Sequence, residues 1–228
     1  MISENIKLIQ SELPSNITLV AVSKTHTVES ICEAYNAGIR DFGESKVQEL
    51  TLKQPQLFPD IRWHMIGHLQ RNKVKHIAPF IYLIHSIDSE NILKEVQKEA
   101  IKNSRTISVL LEVHIAREEE KFGFSPDEIY QFFESSENKE YSNICFIGLM
   151  AMASFTDDVE LVKSEFRTVS DLFRRIKTNF DNALPNFKEL SIGMSSDYKY
   201  AIECNSTMIR IGSSIFGERH YRKQNKTG

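Results

Sequence analysis

The feature that most constrains the fold is a regular alternation of strand-like and helix-like segments along the chain. Eight short runs rich in apolar and β-branched residues are predicted to be strands: Ile17–Val22, Ile39–Phe42, Arg62–Ile66, Ile81–His85, Ile107–Ile115, Ile144–Met150, Leu190–Ile192 and Met208–Ile211. Helical spacing of apolar residues predicts helices over Met1–Leu13, Val28–Ala37, Ser45–Gln54, Ser89–Lys102, Pro126–Ser135, Val159–Phe180 and Asp197–Cys204. Such alternation implies parallel strands joined by helical crossovers.

Eight strand–helix units predict a sheet that closes on itself. The expected fold is therefore a (β/α)8 TIM barrel of the α/β class, with an open doubly wound sheet as the alternative. A chain of 228 residues leaves room for few insertions between the units. Because no linker, repeat or shift in composition interrupts the pattern, residues 1–228 are expected to form a single domain.

Composition narrows the classes of function. The 28 Lys and Arg nearly balance the 31 Asp and Glu, so we expect no nucleic-acid partner, even though the segment Arg62–His76 is basic. The apolar runs have the length of strands, which predicts no membrane span. The 3 cysteines are far apart and odd in number, which favours free thiols and a cytoplasmic location.

A lysine stands at the end of the first predicted strand. In a TIM barrel the carboxyl ends of the strands carry the active site, so Lys24 is expected at this face of the barrel. A partly desolvated lysine amine can attack a carbonyl group and form a Schiff base. On position alone, an ordinary surface lysine is the more common interpretation.

Two loops near the carboxyl terminus have the composition of a phosphate site. Gly193, Ser195 and Asp197 follow the seventh strand and lead into a helix, while Gly212 and Ser213 follow the eighth. Backbone N–H groups and hydroxyls of such loops suit a phosphate, and barrels often bind one there. Together with Lys24 they describe an aldehyde held by its phosphate, such as pyridoxal 5′-phosphate (PLP) or the substrate of a Schiff-base aldolase.

Several stretches carry a resemblance to a known family. They are AVSKT at 21–25, GE-x-x-VQE at 43–49, WHMIGHLQRNK at 63–73, HSIDS at 85–89, GLMAMASF at 148–155, LSIGMSSDYKYAIE at 190–203 and RIGSSIFGER at 210–219. Through them the chain resembles the pyridoxal phosphate homeostasis proteins, relatives of the N-terminal barrel of alanine racemase. The matching stretches are distributed almost from end to end.

The resemblance implies a set of cofactor contacts. Lys24 is implied to carry PLP as a Schiff base, Ser195 and the backbone of Gly212 and Ser213 to bind its phosphate, and Arg210 to lie at the pyridine nitrogen. An arginine keeps that nitrogen unprotonated, which makes the ring a weaker electron sink than an aspartate would.

The chain departs from the family pattern at three positions. Ser45 and His114 stand where the family usually has Asn, and Arg117 stands where it usually has Gly. These departures affect the polar contacts expected near the cofactor ring and the loop after the fifth strand. The lysine and the phosphate-binding residues match the family.

The family resemblance leads us to expect a carrier of PLP and no robust enzyme. Racemases take their second base, a tyrosine, from the C-terminal β-domain of a partner subunit, and we expect that domain to be absent here. Tyr198, Tyr200 and His85 remain open as replacements, so a weak amino-acid racemase is the alternative. PLP-dependent apo-enzymes are possible partners.

Two further expectations concern metal ions and assembly. His64 and His68 have the four-residue spacing of helical zinc ligands, but Gly67 between them indicates a strand end, so no metal site is expected. A monomer is expected because no apolar stripe suggests a dimer surface.

Overall fold

Strands and helices alternate in the computed structural model, which describes residues 1–116 and 122–217. The strands are β1 Thr18–Val22, β2 Asp41–Glu44, β3 Arg62–Met65, β4 Leu83–Ile87, β5 Ile107–Val113, β6 Ile144–Ala151, β7 Glu189–Met194 and β8 Met208–Ile211. The helices are α1 Ile2–Glu12, α2 Val28–Asn36, α3 Val47–Lys53, α4 Val74–Ile77, α5 Glu90–Lys102, α6 Pro126–Glu134, α7 Val159–Asn179, α8 Tyr198–Glu203 and α9 Ser213–Phe216. Short 3-10 turns cover Gln54–Gln56, Arg71–Lys73 and Glu137–Glu140.

The eight strands form a closed barrel in chain order. Every pair of neighbours is parallel, and β8 closes the barrel against β1 with Val20 opposite Arg210 and Ala21 opposite Ile211. The predicted TIM barrel is therefore confirmed, and the open doubly wound sheet is excluded. Because all strands run the same way, their carboxyl ends share one face of the barrel.

Two strands begin later than predicted. The prediction placed the second strand at Ile39–Phe42 and the fourth at Ile81–His85, each two residues too early. Ile39 donates its N–H to the Ala34 carbonyl, and Ile81 donates its N–H to the Ile77 carbonyl. Both isoleucines therefore close the end of the preceding helix, and their apolar side chains were mistaken for the start of a strand.

Most buried apolar side chains lie in the layer between the strands and the surrounding helices. The interior of the barrel holds a second and smaller apolar group, formed by Val20, Leu83, Leu110, Met150 and Met208. Buried polar residues share that interior with them, His64, His85 and Ser191 among them. The barrel interior is therefore partly polar, and this polar part reaches the candidate site.

Helix boundaries follow local signals in the sequence. Ser125 and Glu128 form a capping box at the start of α6, where Pro126 occupies the first turn. The longest helix, α7, has 21 residues and a mixture of charged and apolar side chains. Within 1–116 and 122–217, none of the helices combines the length and the apolar character that crossing a bilayer requires.

Candidate functional site

Lys24 follows the carboxyl end of β1 in a tightly held turn. The preceding Ser23 is fully buried, whereas Lys24 is half-buried and Thr25 is exposed. Thr25 has a φ of 70°, a left-handed conformation that a β-branched residue rarely adopts. The surrounding structure must therefore stabilise this turn, and the stabilising contacts come from β2 and α3.

A buried ion cluster holds the backbone on both sides of Lys24. Lys53 donates from Nζ to the Ser23 carbonyl at 2.8 Å, to Glu44 Oε1 at 2.8 Å and to Glu49 Oε1 at 2.6 Å. The Ser23 hydroxyl donates to Glu44 Oε1 at 2.7 Å, and the Thr25 N–H donates to Glu49 Oε1 at 2.6 Å. The cluster of Glu44, Glu49 and Lys53 thus fixes the direction in which the chain presents Lys24.

Burial dominates the electrostatics of this cluster. The Glu44 side chain is fully buried, and in the described residues its Oε2 atom has no hydrogen-bond partner. Burial raises the pKa of Glu44 above its ordinary value, although the nearby Lys53 ammonium and the hydrogen bonds from Lys53 and Ser23 act in the opposite direction. The Lys53 ammonium is therefore the counter-charge that stabilises the buried carboxylate of Glu44.

The loops after β7 and β8 are joined by a hydrogen bond. The Gly212 N–H donates to Ser195 Oγ at 3.3 Å. Gly193 has a φ of 96°, and a Cβ atom there would lie 2.6 Å from the Cβ of Ala201, so the turn into α8 requires glycine. Ser195, Gly212 and the first N–H groups of α9 thus lie together at the carboxyl face.

Asp197 stands at the start of α8 but its side chain does not cap the helix. Its carboxylate accepts from the Met194 N–H at 2.6 Å, and no side-chain capping bond to α8 forms. Burial raises the pKa of Asp197, while the Met194 N–H and the nearby Arg210 guanidinium act to lower it. Asp197 therefore closes the turn after β7 instead of opening the helix.

Arg210 lies in β8 with only 4% of its surface exposed. Its Nη1 donates to the Ser191 carbonyl at 2.7 Å and to Ser191 Oγ at 2.6 Å, and its Nη2 donates to the Ala151 carbonyl at 3.0 Å. Burial lowers the pKa of Arg210 to about 10, while Glu112 and Asp197 favour the charged form. Arg210 therefore remains a cation at neutral pH in a fixed orientation.

The strand order brings the predicted site residues together. Lys24 follows β1, Ser195 follows β7, and Arg210, Gly212 and Ser213 lie in or after β8, which pairs with both of those strands. A Cβ atom on Gly212 would lie 3.4 Å from Val22, which shows how closely the two strand ends approach. Their separate roles toward a ligand stay predictions.

One polar feature inside the barrel was not predicted from the sequence. Hydrogen bonds link six side chains in one continuous series, which we name the interior polar chain: Arg62, Asp41, His64, His85, Ser191 and Arg210. Its members come from five strands, and it runs from the amino end of the barrel to the candidate site. The signal available was a polar residue placed in the middle of an otherwise apolar strand.

The structure gives the two candidate zinc ligands separate partners. His64 contacts His85 and Asp41 inside the barrel, whereas His68 Nδ1 lies 2.7 Å from Asp88 Oδ2. Among the residues described here, no group of three or more His, Cys, Asp and Glu side chains is arranged to hold a metal ion.

Two of the three departures from the family pattern, Ser45 and His114, lie in the described residues. Ser45 packs against Gly67, since a Cβ there would lie 2.6 Å from the Ser45 carbonyl oxygen. His114 Nε2 lies 3.0 Å from the Ala116 carbonyl oxygen, so its ring is bound within its own loop. Arg117 lies outside the described residues.

The tyrosines considered as a second base lie in different surroundings. Tyr198 donates its hydroxyl to Glu12 at 3.2 Å, and burial together with this bond raises its pKa. Tyr200 lines a cavity of about 400 Å³ at the carboxyl face together with Met152, Ser196 and Asp197. Tyr200 thus shares a cavity with Ser196 and Asp197 of the loop after β7.

Comparison with known proteins first identifies the class. Residues 1–220 match the family described as alanine racemase, N-terminal domain. An alanine racemase structure from Clostridium difficile superposes with a TM-score of 0.75 over 98% of this chain and 60% of the racemase, at 15% identity. This likeness concerns the fold, which is the barrel of the racemase N-terminal domain.

More similar relatives identify the particular family. The pyridoxal phosphate homeostasis protein of Aquifex aeolicus is 40% identical over 89% of this chain and 87% of its own length. The human protein of that name is 36% identical over 90% of this chain and 78% of its own length. The chain belongs to the pyridoxal phosphate homeostasis protein family.

A solved structure covers nearly the whole barrel. PipY of Synechococcus elongatus, determined with PLP bound, has a TM-score of 0.84 and 31% identity over 95% of this chain and 100% of PipY. The same protein without PLP has a TM-score of 0.88.

Proposed function

We propose that the protein binds PLP as a Schiff base on Lys24 and serves PLP homeostasis without robust catalytic turnover. The observation that carries the proposal is the meeting of Lys24, Ser195 and the Gly212–Ser213 turn at three adjacent strand ends. The family membership and the PLP bound by PipY support the same ligand.

The donors present fit each part of PLP. The Ser195 hydroxyl, the Ser213 hydroxyl and the N–H groups at the start of α9 suit a phosphate dianion, because the first N–H groups of a helix have no intrahelical acceptor. The Lys24 amine suits the aldehyde. Lys24 would hold that aldehyde through a C=N bond, formed with the loss of one water molecule. Bound PLP supplies an electron-accepting ring to amines that reach it.

The chemistry of Arg210 favours binding of PLP over catalysis by it. Its guanidinium only donates hydrogen bonds, and it remains charged because its pKa is about 10. Facing a pyridine nitrogen, it would donate a hydrogen bond and keep that nitrogen unprotonated. The ring would then stabilise negative charge weakly, which disfavours racemisation and decarboxylation.

The surroundings of the candidate second bases also support a protein that binds PLP without robust turnover. His85 is fully buried and uses both ring nitrogens within the interior polar chain. Tyr198 is bound to Glu12. Of the three side chains considered as a second base, these two therefore have other partners.

Tyr200 keeps a second candidate function open. Tyr200 lines a cavity beside the loop after β7, and the candidate is a weak amino-acid racemase in which Lys24 and Tyr200 would act on opposite faces of the substrate. Tyr200→Phe should abolish any racemisation found in the wild type while leaving PLP binding intact. Wild-type activity that survives this substitution would exclude Tyr200 as the second base.

The absorption spectrum tests the Schiff base. Wild-type protein mixed with PLP should show the near-visible band of a protonated Schiff base, and Lys24→Ala should show the spectrum of the free aldehyde. Lys46→Ala is the matched control, because Lys46 is an exposed lysine in the loop after β2. A band that persists in Lys24→Ala, or is absent from the wild type, would refute the proposal.

Transfer experiments test the homeostasis role. We propose a cytoplasmic monomer that hands PLP to apo-enzymes. The loaded protein should reactivate a PLP-dependent apo-enzyme without forming product from free amino acids itself. Robust turnover of an amino acid that disappears in Lys24→Ala would show instead that the protein is an enzyme.

A further inference from the structure

The interior polar chain connects the amino end of the barrel with Arg210. Arg62 donates to Asp41 from Nε at 2.7 Å and from Nη2 at 2.5 Å. Asp41 Oδ1 lies 3.0 Å from His64 Nε2, and His64 Nδ1 lies 2.8 Å from His85 Nε2. Both histidines are fully buried, so these contacts replace any contact with bulk water.

The remaining links cross the barrel to the far strands. His85 Nδ1 lies 3.0 Å from Ser191 Oγ, although β4 and β7 are not neighbours in the sheet. Ser191 Oγ then accepts from Arg210 Nη1 at 2.6 Å. Every ring nitrogen of the two histidines therefore has a partner, and the series ends on the guanidinium.

The two ends of the chain fix the direction of its hydrogen bonds. A guanidinium can only donate, so Ser191 Oγ must accept from Arg210. A carboxylate can only accept. Burial alone would raise the pKa of Asp41, but the hydrogen bonds from Arg62 and His64 and the charge of the Arg62 guanidinium outweigh it and lower the pKa to about 2. His64 must therefore donate to Asp41 from Nε2–H.

When both histidines between these ends are neutral, only one placement of their ring protons satisfies every hydrogen bond of the series. Burial, with the nearby His64 and Arg210, lowers the pKa of His85 well below its usual value, so its ring carries a single N–H. With the His64 proton on Nε2, its Nδ1 accepts from His85 Nε2–H. His85 Nδ1 then accepts from the Ser191 hydroxyl.

We propose that His64 and His85 are positioning residues for Arg210. With both histidines neutral, the Asp41 carboxylate acts through them to turn the Ser191 hydroxyl proton toward His85, so that a lone pair of Ser191 Oγ faces the guanidinium. The effect of this alignment on PLP rests on the proposed function, whereas the alignment itself is a property of the protein alone.

The alignment leaves Arg210 ready to donate. A guanidinium has five N–H groups. Among the residues described, Arg210 spends three of them on Ser191 and Ala151. The other two can serve a ligand acceptor such as a pyridine nitrogen. Because the three bonds hold the plane of the guanidinium, they remain in place before the ligand arrives, which reduces the entropy lost on binding.

Nitrogen-15 NMR of the ligand-free protein tests the hydrogen-bond order without PLP. We expect His64 and His85 to carry their protons on Nε2, and Arg210 to give separate Nη1 and Nη2 signals because its rotation is hindered. His64→Gln and His85→Gln assign the ring signals. In Asp41→Asn, the amide can donate or accept, so we expect a mixture of tautomers at His85 and faster rotation of Arg210.

A matched substitution separates the polar chain from a general loss of charge. Asp60 is an exposed aspartate that pairs with Arg40 at 2.9 Å, and among the described residues it makes no hydrogen bond to the interior polar chain and acts on Arg62 only through its charge. Asp60→Asn removes the same charge and also breaks an arginine pair. It should leave the His85 tautomer and the Arg210 signals unchanged.

Release of PLP from the loaded protein gives the second measurement. Ser191→Ala removes the aligned acceptor but keeps the two carbonyl partners of Arg210. We expect Ser191→Ala and Asp41→Asn each to release PLP about tenfold faster, as the loss of one hydrogen bond to a charged group implies. The band position should stay that of the wild type, because Lys24 is untouched. Asp60→Asn should release PLP at the wild-type rate.

Each outcome decides the proposal. A proton on His85 Nδ1 in the wild-type protein, or an unchanged tautomer in Asp41→Asn, would overturn it. So would a release rate in Ser191→Ala equal to that of Asp60→Asn. If the wild type binds no PLP, the proposed function fails, and the NMR signals of Arg210 in Asp41→Asn still decide whether the polar chain orients it.

Discussion

Replacing Lys53 by methionine should uncouple the turn that carries Lys24 from the rest of the barrel. Methionine keeps the length of the side chain but removes the ammonium group that contacts Ser23, Glu44 and Glu49. Only 9% of the Lys53 side chain is exposed, and Glu44 is fully buried. Removing one partner of a buried pair costs about 3–5 kcal/mol, and we expect a loss of that size.

The loss should depend on pH with a predictable sign. The pKa of Glu44 in the folded protein is already raised by burial, and without Lys53 it rises further. A carboxyl group whose folded pKa is raised favours folding below its unfolded pKa, and this contribution is lost as the pH rises through the folded pKa. The difference between Lys53→Met and wild type should therefore widen as the pH rises above the unfolded pKa of glutamate, about 4.3.

Urea unfolding followed by circular dichroism measures these free energies. The double variant Lys53→Met with Glu44→Gln removes both charges and should recover part of the stability lost in the single variant. Lys98→Met is the control, because Lys98 makes an exposed pair with Glu95 and its loss should not be measurable. A single variant as stable as Lys98→Met, or a double variant less stable than the single one, would refute this account.

Three further substitutions test other contacts. Gly148→Ala should lower the unfolding free energy by about 3 kcal/mol in urea, because its Cβ would clash with the Glu189 carbonyl where β6 meets β7. Asp41→Asn should cost about 2 kcal/mol at neutral pH and flatten the acid-induced loss of stability, because the Asp41 pKa is lowered to about 2 and its contribution disappears as the pH falls through that value. Acid unfolding curves of Asp41→Asn that coincide with those of the wild type would contradict this prediction. Ser195→Ala should weaken PLP binding about tenfold in a spectral titration if its hydroxyl holds the phosphate.

The alternation of elements made the barrel predictable, since its period follows from local residue spacing. The same spacing located Lys24, Ser195 and Gly212 at strand ends, because a strand end is visible as the point where an apolar run stops. Strand starts were less visible. Ile39 and Ile81 are as apolar as strand residues but bond to the preceding helix, and that choice depends on tertiary contacts.

The interior polar chain could not be derived in this way. His85 and Ser191 are 106 residues apart, and their contact depends on the barrel curving two distant strands toward each other. The cluster around Lys53 is a similar case, because a lysine in a helix is normally assigned to solvent. Only the closed barrel reveals that α3 directs this lysine inward against Ser23.

The division of the buried side chains into two groups separates two evolutionary constraints. The layer outside the strands contains most of the apolar residues, whereas the lumen combines five apolar residues with the polar series that ends at Arg210. Substitutions in the lumen can therefore alter ligand chemistry while the outer layer continues to hold the fold. A barrel organised in this way can acquire or lose catalysis by exchanging a few inward-facing side chains, and selection can act on each layer separately.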